Sequence, residues 1–215
     1  MRSWVSCDCE GHHRPKRVVL TGGPGAGKTA ILELIGHFFC QHVTVLPEAA
    51  GIVFGGGFPR NHDPRLQRAA QRAIFFVQRE LEAVAAVGDP AIVLCDRGTV
   101  DSAAFWPGPQ DFWQDVGTTL DAQLARYDVV VHLRTPRIHG AYNRDKPLRV
   151  ETAAEAAEVD ERILTAWAGH PHRVVIEATP DFLLKASRTI DVIRAYLPMC
   201  CEHHAVSLPS AASIL

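Results

Sequence analysis

The sequence lacks any apolar run long enough to cross a bilayer as a helix. It also has little net charge, −2 in formal terms, so it offers no general attraction for nucleic acid or an anionic membrane, and any anion site must be local. Residues 1–15 contain no apolar stretch of the kind that a secretory signal needs. We therefore expect a cytoplasmic protein that neither spans a membrane nor binds nucleic acid.

The sequence also lacks internal repeats and low-complexity linkers. Its 215 residues, 47% of them hydrophobic, are enough for one domain with a buried core. Short runs rich in β-branched residues recur at 17–20, 43–46, 91–95, 128–133 and 173–176, with helical patterns between them. Because these runs are almost continuously apolar, they predict a mostly parallel sheet covered on both faces in a three-layer α/β domain. We assign residues 16–198 to this domain and residues 1–15 and 199–215 to tails.

The six cysteines do not follow a recognised metal-binding spacing. Cys40 and Cys95 lie inside apolar patterns and are predicted to be reduced core residues. The other four cysteines form one pair near each terminus, flanked by histidines: Cys7, Cys9, His12, His13, Cys200, Cys201, His203 and His204. Their C-x-C and C-C spacings differ from the usual C-x₂₋₄-C of zinc sites. Solvated tails are therefore favoured over the alternative, a metal site across the two tails.

Several helices have recognisable ends. Asp63 followed by Pro64 predicts the start of a long helix that ends near Val87. Thr152 and Glu155 have the spacing of a capping box. A last helix is predicted to start at 179–180. Apolar stripes at helical spacing are predicted to face the core, namely Leu66, Ala70, Ala73, Val77, Leu81 and Val84 in the long helix and Leu183, Leu184, Ile190, Ile193 and Leu197 in the last one.

A glycine-rich stretch, GGPGAGKT, follows the first predicted strand and matches the phosphate-binding pattern G-x-x-x-x-G-K-[ST]. Glycines let successive main-chain N–H groups turn toward phosphate oxygens, and the start of the next helix adds partial positive charge. Lys28 is expected to bridge the β- and γ-phosphates, and the Thr29 hydroxyl to bind Mg²⁺. The alternative is an accidental turn, which the flanking strand and helix argue against. The predicted nucleotide-binding residues are Gly22, Gly23, Pro24, Gly25, Ala26, Gly27, Lys28, Thr29 and Ala30.

The third predicted strand ends in AIVLCDRG, which places Asp96 where P-loop proteins carry the acid that orients Mg²⁺. The pair Asp96 and Arg97 resembles the DR motif of thymidylate kinase and the deoxynucleoside kinases. By that resemblance, Arg97 would bind an acceptor phosphate or orient the catalytic acid. A plain turn at the end of a strand is the other interpretation, and the preceding P-loop makes it less favoured.

Glu48 follows the second predicted strand, in LPEAAG, where deoxynucleoside kinases carry a carboxylate beside the attacking hydroxyl. It would act as general base or orient the acceptor, because phosphoryl transfer needs little covalent help from the protein. The alternative is a loop glutamate that starts the next segment.

A basic segment follows the fourth predicted strand and contains Arg134, Arg137, Arg144, Lys146 and Arg149. In P-loop kinases this position is the lid, which closes arginines over the phosphates and expels water. We expect a lid at about 134–152, with Arg144 and Arg149 as the catalytic candidates. A solvated basic loop is the alternative.

Together these stretches resemble a known family. RVVLTGGPGAGKT, LPEAAG, VLCDRGTVDSAAFWPG and RVETAAEAAEVDERI are similar to the AAA-type domain that the ribosylnicotinamide-kinase half of the bifunctional NAD-biosynthesis regulator shares with ATP/GTP-binding proteins of unassigned activity. The resemblance covers residues 17–197. It implies a P-loop NTPase fold like that of the nucleoside monophosphate kinases. Five parallel strands would follow the order 2-3-1-4-5, with helices on both faces and a lid.

The same resemblance places the nucleotide and the acceptor at the carboxyl ends of the strands. The long helix from Asp63 to Val87 would then line the acceptor pocket, with Arg65, Arg68, Arg72, Gln78 and Arg79 along it. Phe54 and the pair Phe105 and Trp106 could cover an aromatic acceptor or simply pack locally.

The preferred function is an ATP-dependent, Mg²⁺-dependent kinase that phosphorylates a hydroxyl of a nucleoside-like or other small acceptor. GTP is not excluded as the donor, and a homodimer is left open. The alternative is a regulatory ATP- or GTP-binding protein with no acceptor. The sequence contains no N-K-x-D motif, which argues against a Ras-like GTPase. The Asp-Arg pair and the basic segment favour the kinase.

Overall fold

A computed structural model describes residues 12–136 and 152–202 of the chain. The strands are β1 Lys16–Thr21, β2 Val43–Leu46, β3 Ile92–Asp96, β4 Val129–Leu133 and β5 Arg173–Ile176. The helices are α1 Lys28–Phe38, α2 Ala49–Gly55, α3 Pro64–Ala86, α4 Asp101–Ala104, α5 Phe112–Asp115, α6 Leu120–Leu124, α7 Ala153–Ala166, α8 Phe182–Arg194 and α9 Met199–Glu202. The strands pair in parallel in the order β2-β3-β1-β4-β5. This order confirms the predicted sheet.

Successive strand residues enter two separate cores, one on each face of the sheet. Val18 and Leu20 of β1 lie in the first core, with α1 and α8 residues such as Ile35. Val19, between them, lies in the second core with Trp167, the residue that ends α7. This alternation follows from the two-residue period of a strand. The sheet is therefore covered on both faces, as the apolar runs predicted.

Helix α3 begins as predicted but buries a different face. Asp63 caps its first turn, with its side chain accepting a hydrogen bond from a main-chain amide. Leu66 and Val84 are 38% and 71% exposed, so their predicted place in the core was wrong. The buried face carries Ala70, Gln71, Phe75, Gln78 and Glu82. Glu82 is tolerated there because it accepts hydrogen bonds, including one of 2.8 Å from the Tyr127 hydroxyl.

Helix α3 has 23 residues and is long enough to cross a bilayer, but it is too polar. Within residues 12–136 and 152–202, no helix is both long and apolar enough to span a membrane.

Helix α8 starts at Phe182, with Asp181 as its N-cap, two residues later than predicted. Leu183 and Leu184 are 52% and 39% exposed, so their predicted burial was wrong. They lie in the first turn, and the inward face begins after them with Lys185 and Ala186. The later members of the stripe, Ile190, Ile193 and Leu197, are buried as predicted.

One cysteine predicted to lie in a solvated tail is buried instead. Cys40 and Cys95 are 2% and 0% exposed, as expected for core residues. Cys201 was expected in a solvated tail, yet it is 1% exposed and packs in the first core, because α9 folds back against the sheet layer. Cys200 is solvent-accessible. Cys7, Cys9, His203 and His204 lie outside the described residues.

Candidate functional site

The loop between β1 and α1 contacts β4 so closely that it requires glycine. A Cβ atom on Gly22 would lie 2.1 Å from the carbonyl oxygen of Leu133, and the φ angle of Gly22 is +133°. Only glycine adopts that conformation without strain. Helix α1 then begins at Lys28, with Gly27 as a left-handed N-cap. The loop therefore delivers a helix N-terminus to the carboxyl end of the sheet, which is the arrangement of an anion site.

Lys28 lies in the first turn of α1 and is 8% exposed. Its ammonium group donates hydrogen bonds of 2.9 and 3.1 Å to the carbonyl oxygens of Gly22 and Gly23. Burial and, after it, the Arg97 guanidinium lower the pKa of Lys28 to about 8, because both disfavour its positive charge. An anion in the cleft would offset this cost. The electrostatics therefore favour a phosphate beside Lys28.

Asp96 ends β3 and is 7% exposed, beside the P-loop. Its Oδ1 atom is buried and has no hydrogen-bond partner among the described residues. Burial raises the pKa of Asp96 to about 6, since the carboxylate is poorly solvated. Thr29 and Asp96 line the same cleft. A hydroxyl and an underbonded carboxylate are oxygen ligands of the kind that Mg²⁺ prefers, so the residues fit this ion.

Arg97 follows Asp96 with a backbone φ of +70°, a left-handed conformation that costs roughly 1–2 kcal/mol for a residue with a side chain. Two carboxylates hold its guanidinium: Nε donates to Glu48 at 2.7 Å and Nη1 to Asp101 at 3.1 Å. Nη1 also donates to the carbonyl oxygen of Gly22 at 3.2 Å. Burial alone would lower the pKa of Arg97, but the two carboxylates outweigh it and raise the pKa. A permanent cation is thus fixed against the P-loop.

Glu48 is the N-cap residue of α2, and its side chain is 39% exposed. Burial would raise the pKa of Glu48, but the charges of Arg97 and Lys28 outweigh burial and hold it below its ordinary value. Glu48 is therefore ionised at neutral pH, a hydrogen-bond acceptor on the edge of the cleft and a weak base.

A cleft of about 910 Å³ opens beside these residues. The P-loop and the end of β3 form one side of it. Phe105, the residue that ends α4, lies beside Arg97 on that side. The remaining lining comes from α2, α3 and the segment between them: Phe54, Arg60, Gln71, Ile74 and Gln78. Helix α3 therefore lines the cleft, at the position that the resemblance implied for the wall of the acceptor pocket.

Of the five polar residues predicted along α3, Gln78 lines the cleft. Arg65 pairs with Asp63 and Arg72 with Asp115, both at the surface. The guanidinium groups of Arg68 and Arg79 lie over aromatic rings of Trp106 and Phe75. Among the two aromatic candidates of the next loop, Phe105 lines the cleft, whereas the Trp106 ring packs against Phe112.

Asp160 on α7 contacts the P-loop from behind and is 1% exposed. Its Oδ1 atom accepts hydrogen bonds from the Gly23 amide at 2.8 Å and the His132 ring at 2.9 Å. Its Oδ2 atom accepts from the Thr135 amide and lies 3.3 Å from Arg134 Nε. Burial would raise the pKa of Asp160, but these donors, His132 first, hold it below its ordinary value. Asp160 therefore joins the P-loop to the end of β4.

Lys185 of α8 joins the same region from the other core. Its ammonium group is 4% exposed and donates to the carbonyl oxygens of Ala26 and Arg134, at 2.9 and 2.7 Å. Burial lowers the pKa of Lys185 to about 8. The P-loop is thus anchored at Gly23 by a carboxylate and at Ala26 by a lysine.

The sequence reasoning missed both Asp101 and Asp160. Asp101 is 3% exposed and accepts hydrogen bonds from Arg97, from the Thr21 hydroxyl and from the Trp167 indole. The only sequence signal for Asp101 was a carboxylate four residues after Arg97, with which it pairs. Asp160 follows Val159, a residue of the second core, on α7, and no motif indicated its contact with the P-loop.

The predicted lid falls largely outside the described residues. Arg144 and Arg149, with Arg137 and Lys146, lie in 137–151. Arg134 is described: its side chain is 12% exposed and pairs with Asp160 and Glu161. It is therefore a structural cation of this arrangement, and the lid remains a prediction.

The family of this chain is shown by its match to known proteins. Residues 17–182 match the family described as AAA domain. The chain belongs to that family. This AAA domain is also similar to the crystal structure of the NadR protein in complex with NAD and AMP-PNP, with a TM-score of 0.61 and 15% sequence identity. No curated protein matches the chain.

The match to the NadR protein covers 91% of this AAA domain and 51% of the other chain, so it spans about half of that protein's length. The shared feature is the fold, a P-loop NTPase sheet with helices around it. Family and fold confirm the predicted class: this is a P-loop AAA domain with a parallel sheet of order 2-3-1-4-5.

Proposed function

We propose that this AAA domain is an ATP-dependent kinase that transfers the γ-phosphoryl group to a hydroxyl of a nucleoside-like or other small acceptor. The observation that carries the proposal is the run of ion pairs from Glu48 through Arg97 to Asp101, which borders the cleft and contacts the P-loop at Gly22. In a phosphotransferase, a guanidinium in this position stabilises charge on the transferred group, and a carboxylate orients the acceptor hydroxyl.

The donor would be held by the P-loop. Lys28 would exchange its contacts with the loop carbonyls for β- and γ-phosphate oxygens, which would favour its charged form. Thr29 and Asp96 would hold Mg²⁺, which supplies charge neutralisation and orientation of the phosphates when bound. ATP is proposed as the donor because the similar NadR structure contains AMP-PNP, an ATP analogue. GTP is the second candidate.

The acceptor would lie between Glu48 and the α3 side of the cleft. The low pKa of Glu48 makes it a poor base in the ground state. We therefore assign Glu48 to hydrogen-bonding the acceptor hydroxyl, and it would take the proton only late in the transfer, as loose phosphoryl-transfer transition states allow. Arg97, held by Asp101, would stabilise charge on the group in transit.

The far side of the cleft suits a small polar molecule with a flat apolar part. Gln71 and Gln78 carry amide groups, which both donate and accept hydrogen bonds. Phe54 and Phe105 supply aromatic rings, each with an arginine guanidinium over one face, Arg60 at 4.3 Å and Arg97 at 5.6 Å. This combination supports a nucleoside-like acceptor over a simple aliphatic alcohol.

The test is a search for a phosphorylated product. The protein is incubated with Mg·ATP, and in parallel with Mg·GTP, together with a panel of nucleosides, sugars and other alcohols, and products are identified by mass. We expect acceptor-dependent ADP release with the wild type and none with Lys28→Ala. Arg97→Lys should bind ATP within a few-fold of wild type while its kcat/KM falls roughly 10²–10³-fold, because a stabilising donor is displaced.

Arg65→Ala is the matched control, because Arg65 is an exposed arginine that pairs with Asp63 outside the cleft. It should leave turnover unchanged. Tight ATP binding by the wild type with no product across the whole panel would contradict the kinase and favour a regulatory nucleotide-binding protein. An Arg97→Lys protein with wild-type turnover would refute the role of Arg97 alone.

A further inference from the structure

At the end of the sheet opposite the P-loop, the structure assigns a zinc site to Cys40, His42 and Cys201, with the fourth ligand supplied by Cys200 or His13. These residues come from separate parts of the chain. Cys40 follows α1, His42 directly precedes β2, and the two neighbouring cysteines lie in α9. His13 lies just before β1. The proposal does not depend on the kinase function.

Four distances between neighbouring ligand atoms are close to those around one tetrahedral ion. His42 Nδ1 lies 3.3 Å from Cys201 Sγ and 3.7 Å from Cys40 Sγ. The two α9 sulfurs lie 3.7 Å apart, and His13 Nε2 lies 3.5 Å from Cys200 Sγ. A zinc ion with Zn–S of about 2.3 Å and Zn–N of about 2.05 Å separates two sulfurs by about 3.8 Å and a sulfur from a nitrogen by about 3.6 Å. Cys40, His42 and Cys201 form one group and the candidate fourth ligands belong to another, so the fourth ligand must move toward the first group when the ion binds.

The two groups of three ligand atoms share Cys201. Cys40, His42 and Cys201 form one group, and His13, Cys200 and Cys201 form the other; within each group the atoms lie within 4.8 Å of one another. Cys201 is therefore common to any ion bound here. The first group is the more buried and defines the site, and the second group provides the remaining ligand.

The surroundings are those of a closed, structural site. Cys40 and Cys201 are 2% and 1% exposed and belong to the first core. The backbone of His42 is fixed by β3, since its carbonyl oxygen accepts hydrogen bonds from the amides of Ala91 and Ile92 at 2.8 and 3.0 Å. Ligands held in this way lose little conformational freedom when they bind an ion.

The donor chemistry selects zinc. Three cysteines with one histidine, or two of each, form a soft, nitrogen-containing set, which is typical of closed Zn²⁺ sites and unsuited to Mg²⁺ or Ca²⁺. The competing state is a disulfide, which requires sulfurs about 2.05 Å apart, whereas the sulfurs of Cys200 and Cys201 lie 3.7 Å apart. Zinc would link α9 to the amino ends of β1 and β2. This end of the sheet is opposite the carboxyl ends that border the nucleotide cleft.

The test uses full-length protein without a histidine tag, purified anaerobically without chelators. We expect about one zinc per chain by elemental analysis, with sulfur and nitrogen neighbours at about 2.3 and 2.0 Å by X-ray absorption. After exchange into Co²⁺, the protein should show the intense visible bands of tetrahedral cobalt and a near-ultraviolet sulfur charge-transfer band. Cys201→Ser and Cys40→Ser should each bind zinc at least about 100-fold more weakly.

Cys95→Ser is the matched control, because Cys95 is equally buried but lies in the second core; it should keep its zinc. Loss of zinc in Cys200→Ser or in His13→Gln identifies the fourth ligand, and full retention in both contradicts the assignment of either residue as that ligand. Zinc that survives in Cys201→Ser is bound adventitiously by other histidines. The proposal would be overturned by such adventitious binding, by a wild type without zinc, or by a Cys40–Cys201 disulfide. The wild-type spectra test the proposal even if a variant fails to fold.

Discussion

Replacing Asp160 by asparagine removes the charge from a carboxylate that is 1% exposed and serves donors from several elements. Asparagine keeps one acceptor oxygen and places an NH₂ group where the other carboxylate oxygen was. That NH₂ group then faces two donors, either those of Gly23 and His132 or those of Thr135 and Arg134. At least one buried donor is left unpaired, at about 1–3 kcal/mol each. Breaking a buried ion pair costs about 3–5 kcal/mol. Since the ion pair with Arg134 is partly solvated, we expect a loss of about 2–4 kcal/mol.

The free energy of unfolding is measured by urea titration, followed by circular dichroism and tryptophan fluorescence. Nucleotide affinity is measured in parallel with a fluorescent ATP analogue. It should weaken roughly tenfold, equivalent to about 1.4 kcal/mol, because the Gly23 amide loses its anchor. The control is Asp191→Asn, whose side chain is 62% exposed and pairs with Arg194 on the surface; it should change stability by less than about 1 kcal/mol. An Asp160→Asn protein as stable as this control would refute the reasoning.

Two further predictions concern backbone contacts and pH. Gly22→Ala should destabilise the fold by more than about 3 kcal/mol in the same urea titration, because its Cβ would lie 2.1 Å from a carbonyl oxygen. Gly36→Ala, in the last turn of α1 with open space around it, should instead stabilise the fold by up to about 1 kcal/mol; equal effects would contradict the contact. For Lys185, the folded pKa of about 8 lies below the ordinary 10.5, so unfolded chains hold the proton longer and stability rises with pH between these values. Relative to Lys185→Met, the wild type should gain up to about 3 kcal/mol over that range, and parallel pH profiles would rule this out.

The sheet could be predicted because its signal is local and repeated. Each predicted strand boundary lies within one residue of the structure, since continuous apolar runs report burial on both faces. The face of α3 was misassigned because Glu82 is buried with hydrogen-bond partners from other elements. Hydropathy at helical spacing carries no information about such partners. Leu183 in the first turn of α8 was misassigned in a similar way, because hydropathy at helical spacing does not show where the buried face of a helix begins.

The candidate site divides in the same way. The P-loop and the Asp96–Arg97 pair were recognisable because their chemistry depends on neighbouring residues in the chain. Asp101 holds Arg97 from four residues away, but the other supports join distant parts of the chain: Asp101 is 80 residues from Thr21, and Asp160 is 137 residues from Gly23. The contact of Cys201 with His42 spans 159 residues. Such contacts depend on the packed fold, so the spacing of residues in one sequence could not reveal them.

The strand order also sets how readily each part of the cleft opens. β1 is paired on both sides, by β3 and β4, and its residues Val18 and Leu20 are fully buried. Its amides should therefore exchange with solvent only when the whole domain unfolds, and the P-loop is attached to that most protected element. Glu48, by contrast, follows β2, which lies at the border of the sheet. The P-loop side of the cleft is therefore expected to be rigid, and the side with Glu48 more easily deformed. Such a cleft can adapt to molecules of different shape while the P-loop keeps its contacts with the nucleotide.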